Sequence, residues 1–266
     1  MPLFPAPSPT LHSRREDDLD LPLLVWTLPQ PACVIASSVL GGGIGERSWI
    51  INAQVRSGYG RIDPAAHLAE LATAVGLHDI DRGVGLLTAA DVGAWPSAED
   101  DGVRVDTTVG VRVPTWASAP VGTIDRDLTL RPTPGTINIV AFVPVPMTAG
   151  ALVNLVATAT EAKTQALFDA GVPGTGTATD AVVLVCPIGP PADQEPFGGP
   201  RSTYGSALAR AVHATVLAGT ADSLKRMATD PSKPTADTRP TTSTTSTTST
   251  TTPTNPTNPT KNGGTS

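Results

Sequence analysis

Glu161 and Lys163 share one helix-forming run, Glu161-Ala162-Lys163-Thr164-Gln165. Downstream lies the loop Gly174-Thr175-Gly176-Thr177-Ala178-Thr179-Asp180, which leads into the apolar run Ala181-Val182-Val183-Leu184-Val185-Cys186. This order of helix, glycine/threonine loop and buried strand gathers carboxylates, an amine, hydroxyls and backbone N–H groups. Such polar groups are costly to bury without a use, and together they are the equipment of a polar reaction. The glycines let N–H groups of 174–177 converge on a ligand oxygen, and the threonines add donors. The loop is not a phosphate loop of the Walker type, because no Gly-Lys-Ser/Thr follows and a strand comes next. Asp180 has two readings, a general base or a carboxylate that bonds its own turn. A threonine of 175–179 acting as nucleophile would need a base beside it.

Three other pieces carry similar groups. The glycine-rich turn 41–45 is followed by Asn52. Asp106-Thr107-Thr108-Val109-Gly110 places an aspartate in a strand, where it is disfavoured. Asn138 interrupts the apolar run Ile137-Asn138-Ile139-Val140, and a buried amide needs partners. On a helix over 148–170, Leu152, Val156, Ala159, Ala166 and Leu167 share one face, with Asn154, Thr158, Glu161 and Gln165 opposite. Lys163 then projects from the apolar face, so it either snorkels or meets a carboxylate. Glu161 and Lys163 point about 160° apart on an ideal helix, so they are not expected to pair. His67, His78 and His213 make no ligand spacing with another His or Cys, and no H-E-x-x-H, paired C-x-x-C or G-x-S-x-G occurs. No metal or cofactor is expected.

The elements that must position these groups are read from periodicity and punctuation. Strands are expected at 21–28 and 33–38, joined by a tight turn at Pro29-Gln30-Pro31, and at 49–55, 83–88, 103–113, 137–145 and 181–186. Helices are expected from Asp63-Pro64 to 75 with Asp63 as cap, from the Thr148 cap to 170 with Gly171 after it, and from Ser202 or Thr203 to 227 with a break at Gly219. Strands dominate early and alternate with helices late. The expected class is α/β: a single layered domain around one mixed sheet.

The chain has 266 residues and a net charge of −6. Residues 1–17 and the Thr/Ser/Pro-rich 229–266 offer little to a core and are expected to be disordered, which leaves 18–228 as the domain. No basic cluster exceeds Arg14-Arg15, which argues against nucleic acid as partner. No apolar run is long enough to span a bilayer and no signal peptide is seen, so the expected location is cytoplasmic. Cys33 and Cys186 both sit in apolar runs and read as free buried thiols.

Eight segments, in order, resemble the adenosylcobinamide amidohydrolase family. They are Ser37-Ser38-Val39-Leu40-Gly41-Gly42-Gly43, Trp49-Ile50-Ile51-Asn52-Ala53-Gln54-Val55, Leu87-Thr88-Ala89-Ala90-Asp91-Val92, Val105-Asp106-Thr107-Thr108-Val109-Gly110, Pro134-Gly135-Thr136-Ile137-Asn138-Ile139, Glu161-Ala162-Lys163-Thr164-Gln165-Ala166-Leu167, the loop 174–180, and Phe197-Gly198-Gly199-Pro200-Arg201-Ser202. The resemblance implies a corrinoid-salvage enzyme that cleaves the aminopropanol amide of adenosylcobinamide to adenosylcobyric acid. Placed on the matched positions, amide chemistry makes Glu161, Lys163, Asp180 and Asp106 the catalytic candidates. Asp180 or Glu161 would activate water, Lys163 and the N–H groups of 174–177 would hold the oxyanion, and Asp106 is a further acid/base. Asn52, Thr107, Thr108, Asn138, Gly174, Thr175, Gly176, Thr177, Thr179, Arg201 and Ser202 would meet the neutral amide rim of the corrin. A non-catalytic corrinoid binder or carrier is the alternative; four ionisable groups are more than it needs.

Overall fold

Two six-residue runs, Ile137–Phe142 and Ala181–Cys186, contain no charged side chain, and every residue in them is buried. Strands of this kind belong in the middle of a sheet covered on both faces. In the computed structural model, which describes residues 4–120 and 135–229, they lie side by side and parallel, with Asn138 opposite Ala181 and Phe142 opposite Val185. Numbered in chain order, the strands are β1 (Thr10–Glu16), β2 (Leu19–Ala36), β3 (Gly43–Gln54), β4 (Gly83–Thr88), β5 (Ser97–Asp100), β6 (Val103–Val109), β7 (Ile137–Phe142) and β8 (Ala181–Cys186). They form one mixed sheet in the order β4-β3-β2-β8-β7-β6-β5, with β1 added against β2. Only β3/β4 and β7/β8 are parallel among these pairs.

The sheet folds over on itself. Leu24, Trp26, Ile50, Val84 and Leu86 from the β2-β3-β4 half share one core with Val140, Phe142, Val183 and Val185 from the other half. Period-2 alternation sends the neighbouring residues outward. On one side Leu23, Val25, Trp49, Ile51 and Ala53 pack on α1 (Pro64–Ala74) through Leu68 and Leu71. On the other, Val103, Val105, Val109, Ile137, Ile139 and Leu184 pack on α2 (Ala149–Asp169) and α3 (Thr203–Thr229). The arrangement is a four-layer α/β fold in which the two sheet halves are the inner layers.

The helix ends follow the sequence closely. Thr148 caps α2 by accepting a hydrogen bond from Ala151 N–H at 3.1 Å, and Gly171 follows the helix at φ 71°. Asp63 precedes α1 but makes no cap; its carboxylate is held by Arg61 instead. α3 runs unbroken through Gly219, where a Cβ would come within 2.6 Å of Val109 Cγ2. The glycine is there for close packing on β6, not to end the helix.

Three further expectations are corrected. Pro29-Gln30-Pro31 is not a turn, because β2 continues through it and register against β3 shifts between Thr27 and Ala32. A bulge is one of the few places where a strand accommodates proline. The strand expected over 103–113 ends at Val109, and the polar edge strand β5 pairs with its start. Residues 10–16, expected to be unfolded, form β1, with Thr10 opposite Val25 and Glu16 opposite Leu19. Phe4 is also buried, against the inner core. The tail 230–266 lies outside the described residues.

Candidate active site

Lys163 lies on the buried face of α2, with 9% of its side chain exposed. It does not snorkel. Its Nζ donates to Asp180 Oδ2 at 2.5 Å, at the entry to β8. Asp180 accepts three more hydrogen bonds: Thr177 N–H on Oδ2 at 3.1 Å, Thr177 Oγ1 on Oδ1 at 2.5 Å, and Ile137 N–H on Oδ1 at 3.0 Å. A carboxylate offers about four lone-pair directions, and all are taken here. The loop closes tightly on the pair, since a Cβ at Gly176 would sit 2.3 Å from Asp180 Oδ2 and 2.6 Å from Lys163 Nζ. Asp180 thus bonds its own turn, and the ion pair fixes β7, β8 and α2 together.

The loop's backbone donors are also committed. Gly174 N–H donates to Val172 O, Thr175 N–H to Thr115 O, and Thr177 N–H to Asp180. Thr115 N–H returns a bond to Gly176 O at 2.8 Å, so the loop pairs with the segment around Thr115. Thr175 Oγ1 accepts from Ala117 N–H, and Thr179 Oγ1 lies 2.6 Å from Thr136 Oγ1. The oxyanion cradle expected at 174–177 has lost three of its four N–H donors to the fold.

Asn52, Thr108 and Asn138 come together in the inner core from three strands. Asn52 Nδ2 donates to Thr108 Oγ1, and Asn138 Nδ2 donates to Asn52 Oδ1, both at 2.9 Å, with a further bond to Leu87 O. Each is 1% exposed, so they bracket the two sheet halves rather than face a ligand directly. Thr107 points the other way, towards the helices, and its buried hydroxyl has no partner among the described residues. Asp106 is 1% exposed and bonded by Trp26 Nε1 at 2.9 Å, by Ser97 Oγ and by the Arg104 guanidinium. It is a buried clamp between β2, β5 and β6.

The remaining expected residues lie apart. Glu161 is on the exposed side of α2, in a shallow groove with Thr160, Thr164, Gln165 and Phe168. Thr158, expected beside it in a polar stripe, is buried instead and donates to Gly198 O. Ser202 accepts from Gly205 N–H at the start of α3, and exposed Arg201 reaches, among the described residues, only the carbonyl of Pro200. Their loop rests on Ala151 and Leu155 through Gly198; Leu155 is eight residues, about 12 Å of helix rise, before Lys163.

A cleft of about 170 Å³ opens where β3 and β4 end, β6 ends and β7 begins. It is lined by Gln54, Ser57, Ala89, Ala90, Asp91, Val109, Gly110, Arg112, Gly135, Ser223, Arg226 and Met227. The loop 174–180 adjoins it, since Thr179 Oγ1 donates to the carbonyl of Gly135. Gln54 Oε1 is fixed by Val92 N–H, and Asp91 Oδ1 accepts from Gly93 N–H at 2.9 Å. Among the described residues, Asp91 Oδ2 accepts no hydrogen bond and the Arg226 guanidinium meets no carboxylate. A free carboxylate oxygen and a free cation around one small cleft suit polarisation of a neutral carbonyl group and activation of water. Sequence reasoning quoted Leu87-Thr88-Ala89-Ala90-Asp91-Val92 but took no site residue from it. The signal was there: Asp91 is the acidic residue of a segment otherwise made of small and apolar side chains and one threonine.

Among the described residues, no group of three or more His, Cys, Asp or Glu side chains is arranged around a common point for a metal ion, and no helix is long and apolar enough to cross a membrane. The chain is 30% identical over 190 residues to the adenosylcobinamide amidohydrolase of Methanosarcina mazei, covering 69% of this chain and 88% of that protein. It is 40% identical over 89 residues to the adenosylcobinamide amidohydrolase of Halobacterium salinarum, covering 33% of this chain and 37% of that one. The PH0078 protein of Pyrococcus horikoshii OT3 overlaps 83% of each chain with a TM-score of 0.40 and 13% identity. The family model described as adenosylcobinamide amidohydrolase matches residues 8–228, nearly the whole described structure, and the chain belongs to that family.

Proposed function

We propose that this chain hydrolyses the amide joining the aminopropanol arm to the corrin ring of adenosylcobinamide, giving adenosylcobyric acid for return to cobamide assembly in the cytoplasm. One observation carries the reading: four of the family segments meet at the cleft. Gln54 comes from the second, Ala89, Ala90 and Asp91 from the third, Val109 and Gly110 from the fourth, and Gly135 from the fifth. A cleft of about 170 Å³ suits a short amide arm and leaves a macrocycle outside.

In this reading Asp91 Oδ2 takes the proton of the attacking water. Arg226, on the last turns of α3, faces the carbonyl oxygen as it gains charge. The proton held by Asp91 then passes to the leaving amine. Lys163–Asp180 and Asn52–Thr108–Asn138 hold the walls and floor in place.

Incubation of the purified chain with adenosylcobinamide, read by mass spectrometry, tests the activity, and Asp91→Asn tests the site. The expected result is adenosylcobyric acid from the parent chain and a loss of roughly 100-fold or more in kcat for the variant. Tight binding without product would favour the carrier. Full activity in Asp91→Asn would move the chemistry elsewhere.

A further inference from the structure

Cys33 on β2 and Cys186 on β8 are direct cross-strand partners in an antiparallel pair. Such partners hold their Cα atoms ~4.5–5.5 Å apart, inside the ~4.4–6.8 Å that a disulfide spans. Both side chains leave the same face of the sheet, towards α2 and α3, where Cys186 is part of the core and Cys33 packs at its edge. Both are free thiols. Their access differs. Cys186 is fully buried, whereas Cys33 is partly exposed and lines a cavity of about 220 Å³ with Gly45, Glu46, Met147, Ile188 and Gln194. One sulfur can be reached from solvent and the second waits behind it.

We propose that Cys33 and Cys186 form a reversible thiol-modification site that closes into a cross-strand disulfide by exchange with a small-molecule disulfide of the glutathione type. In the first step the Cys33 thiolate attacks one sulfur of the small disulfide. A mixed disulfide forms on Cys33 and one small thiolate leaves. Cys186 then loses its proton to solvent and attacks the Cys33 sulfur, the Cys33–Cys186 bond forms, and the second small thiolate departs. The small disulfide is reduced by two electrons and the protein is oxidised by two. The order is set by burial, since only Cys33 meets the cavity. The neighbouring Cys186 thiol also lowers the pKa of the Cys33 thiol from its ordinary value, while Cys33 and burial raise that of Cys186. The thiolate needed for the first step is therefore favoured on the accessible residue.

The bond would staple the seam between the two sheet halves, because β2 meets β8 only over the four pairs from Cys33–Cys186 to Ala36–Val183. Neither cysteine belongs to the proposed catalytic cleft.

The test uses the full native chain in oxidised glutathione, followed by intact mass spectrometry and peptide mapping, beside Cys33→Ser and Cys186→Ser. The parent chain is expected to lose two hydrogens in a Cys33–Cys186 disulfide, with its thermal midpoint raised by roughly 5–10 °C and restored by dithiothreitol. Cys186→Ser should stop at one glutathione on Cys33. Cys33→Ser should stay unmodified while folded. Equal labelling of both cysteines, a stable glutathione adduct on the parent chain, or no reaction at all would each overturn the proposal.

Discussion

The four hydrogen bonds on Asp180 leave it no lone pair for a proton in transit, and its partner Lys163 is largely removed from solvent. The energetic consequence belongs to the pair. Asp180→Asn keeps the shape but leaves an ammonium without its counter-charge, which costs about 3 kcal/mol when such a pair is buried. Urea denaturation should show that loss, while the surviving folded molecules keep their turnover number. An unchanged midpoint with a collapsed kcat would return Asp180 to the catalytic set. Asp91 shows the opposite pattern, being exposed and half-bonded, so Asp91→Asn is expected to shift the unfolding midpoint by less than about 0.5 kcal/mol equivalent.

At the scale of elements, α3 lies against β6 at Gly219, and Gly219→Ala should cost about 1–3 kcal/mol by overpacking on Val109, read as a lowered thermal midpoint. α1 is fastened at its start by Arg61, whose guanidinium bonds Asp63 and Glu70 and holds both carboxyls below their usual range. A depressed carboxyl pKa contributes stability above the unfolded value, near 4, and loses it as pH falls through the folded value. The midpoint gap between the parent chain and Arg61→Gln should therefore be open at neutral pH and close as pH falls below the ordinary carboxylate range. A gap unchanged at acid pH would mean that the clamp acts through packing. The elements legible in the sequence are those whose own residues decide them. β8 was bounded by its apolar run, and α2 by Thr148 and Gly171. β5, Ser97–Asp100, has two acidic residues in four and exists only because β6 lies beside it. β1 and the middle of β2 carry prolines or charges that speak against a strand, and tertiary pairing overrides them. The family segments were legible, but not which of their side chains turn inward to the core and which reach the cleft. That division depends on the fold of the sheet over itself.

For the molecule as a whole, the family match and the described fold both end close to Thr229. The Thr/Ser/Pro-rich sequence beyond it offers almost nothing apolar to a core. A chain ending at Thr229 is expected to match the full chain in thermal midpoint and in kcat, and a drop in either would assign the tail a role in folding or turnover. The long strand β2 has a consequence for how the structure is reached and lost. Its pairing with β3 joins residues close in sequence, whereas its pairing with β8 joins positions more than half the chain apart. Contacts between distant segments carry the larger closure entropy and form late. Weakening a contact that forms late hastens unfolding and barely slows refolding. The short seam between β2 and β8 is therefore expected to govern the lifetime of the native state more than the speed of its formation. Weakening it should raise the unfolding rate and leave the refolding rate nearly unchanged.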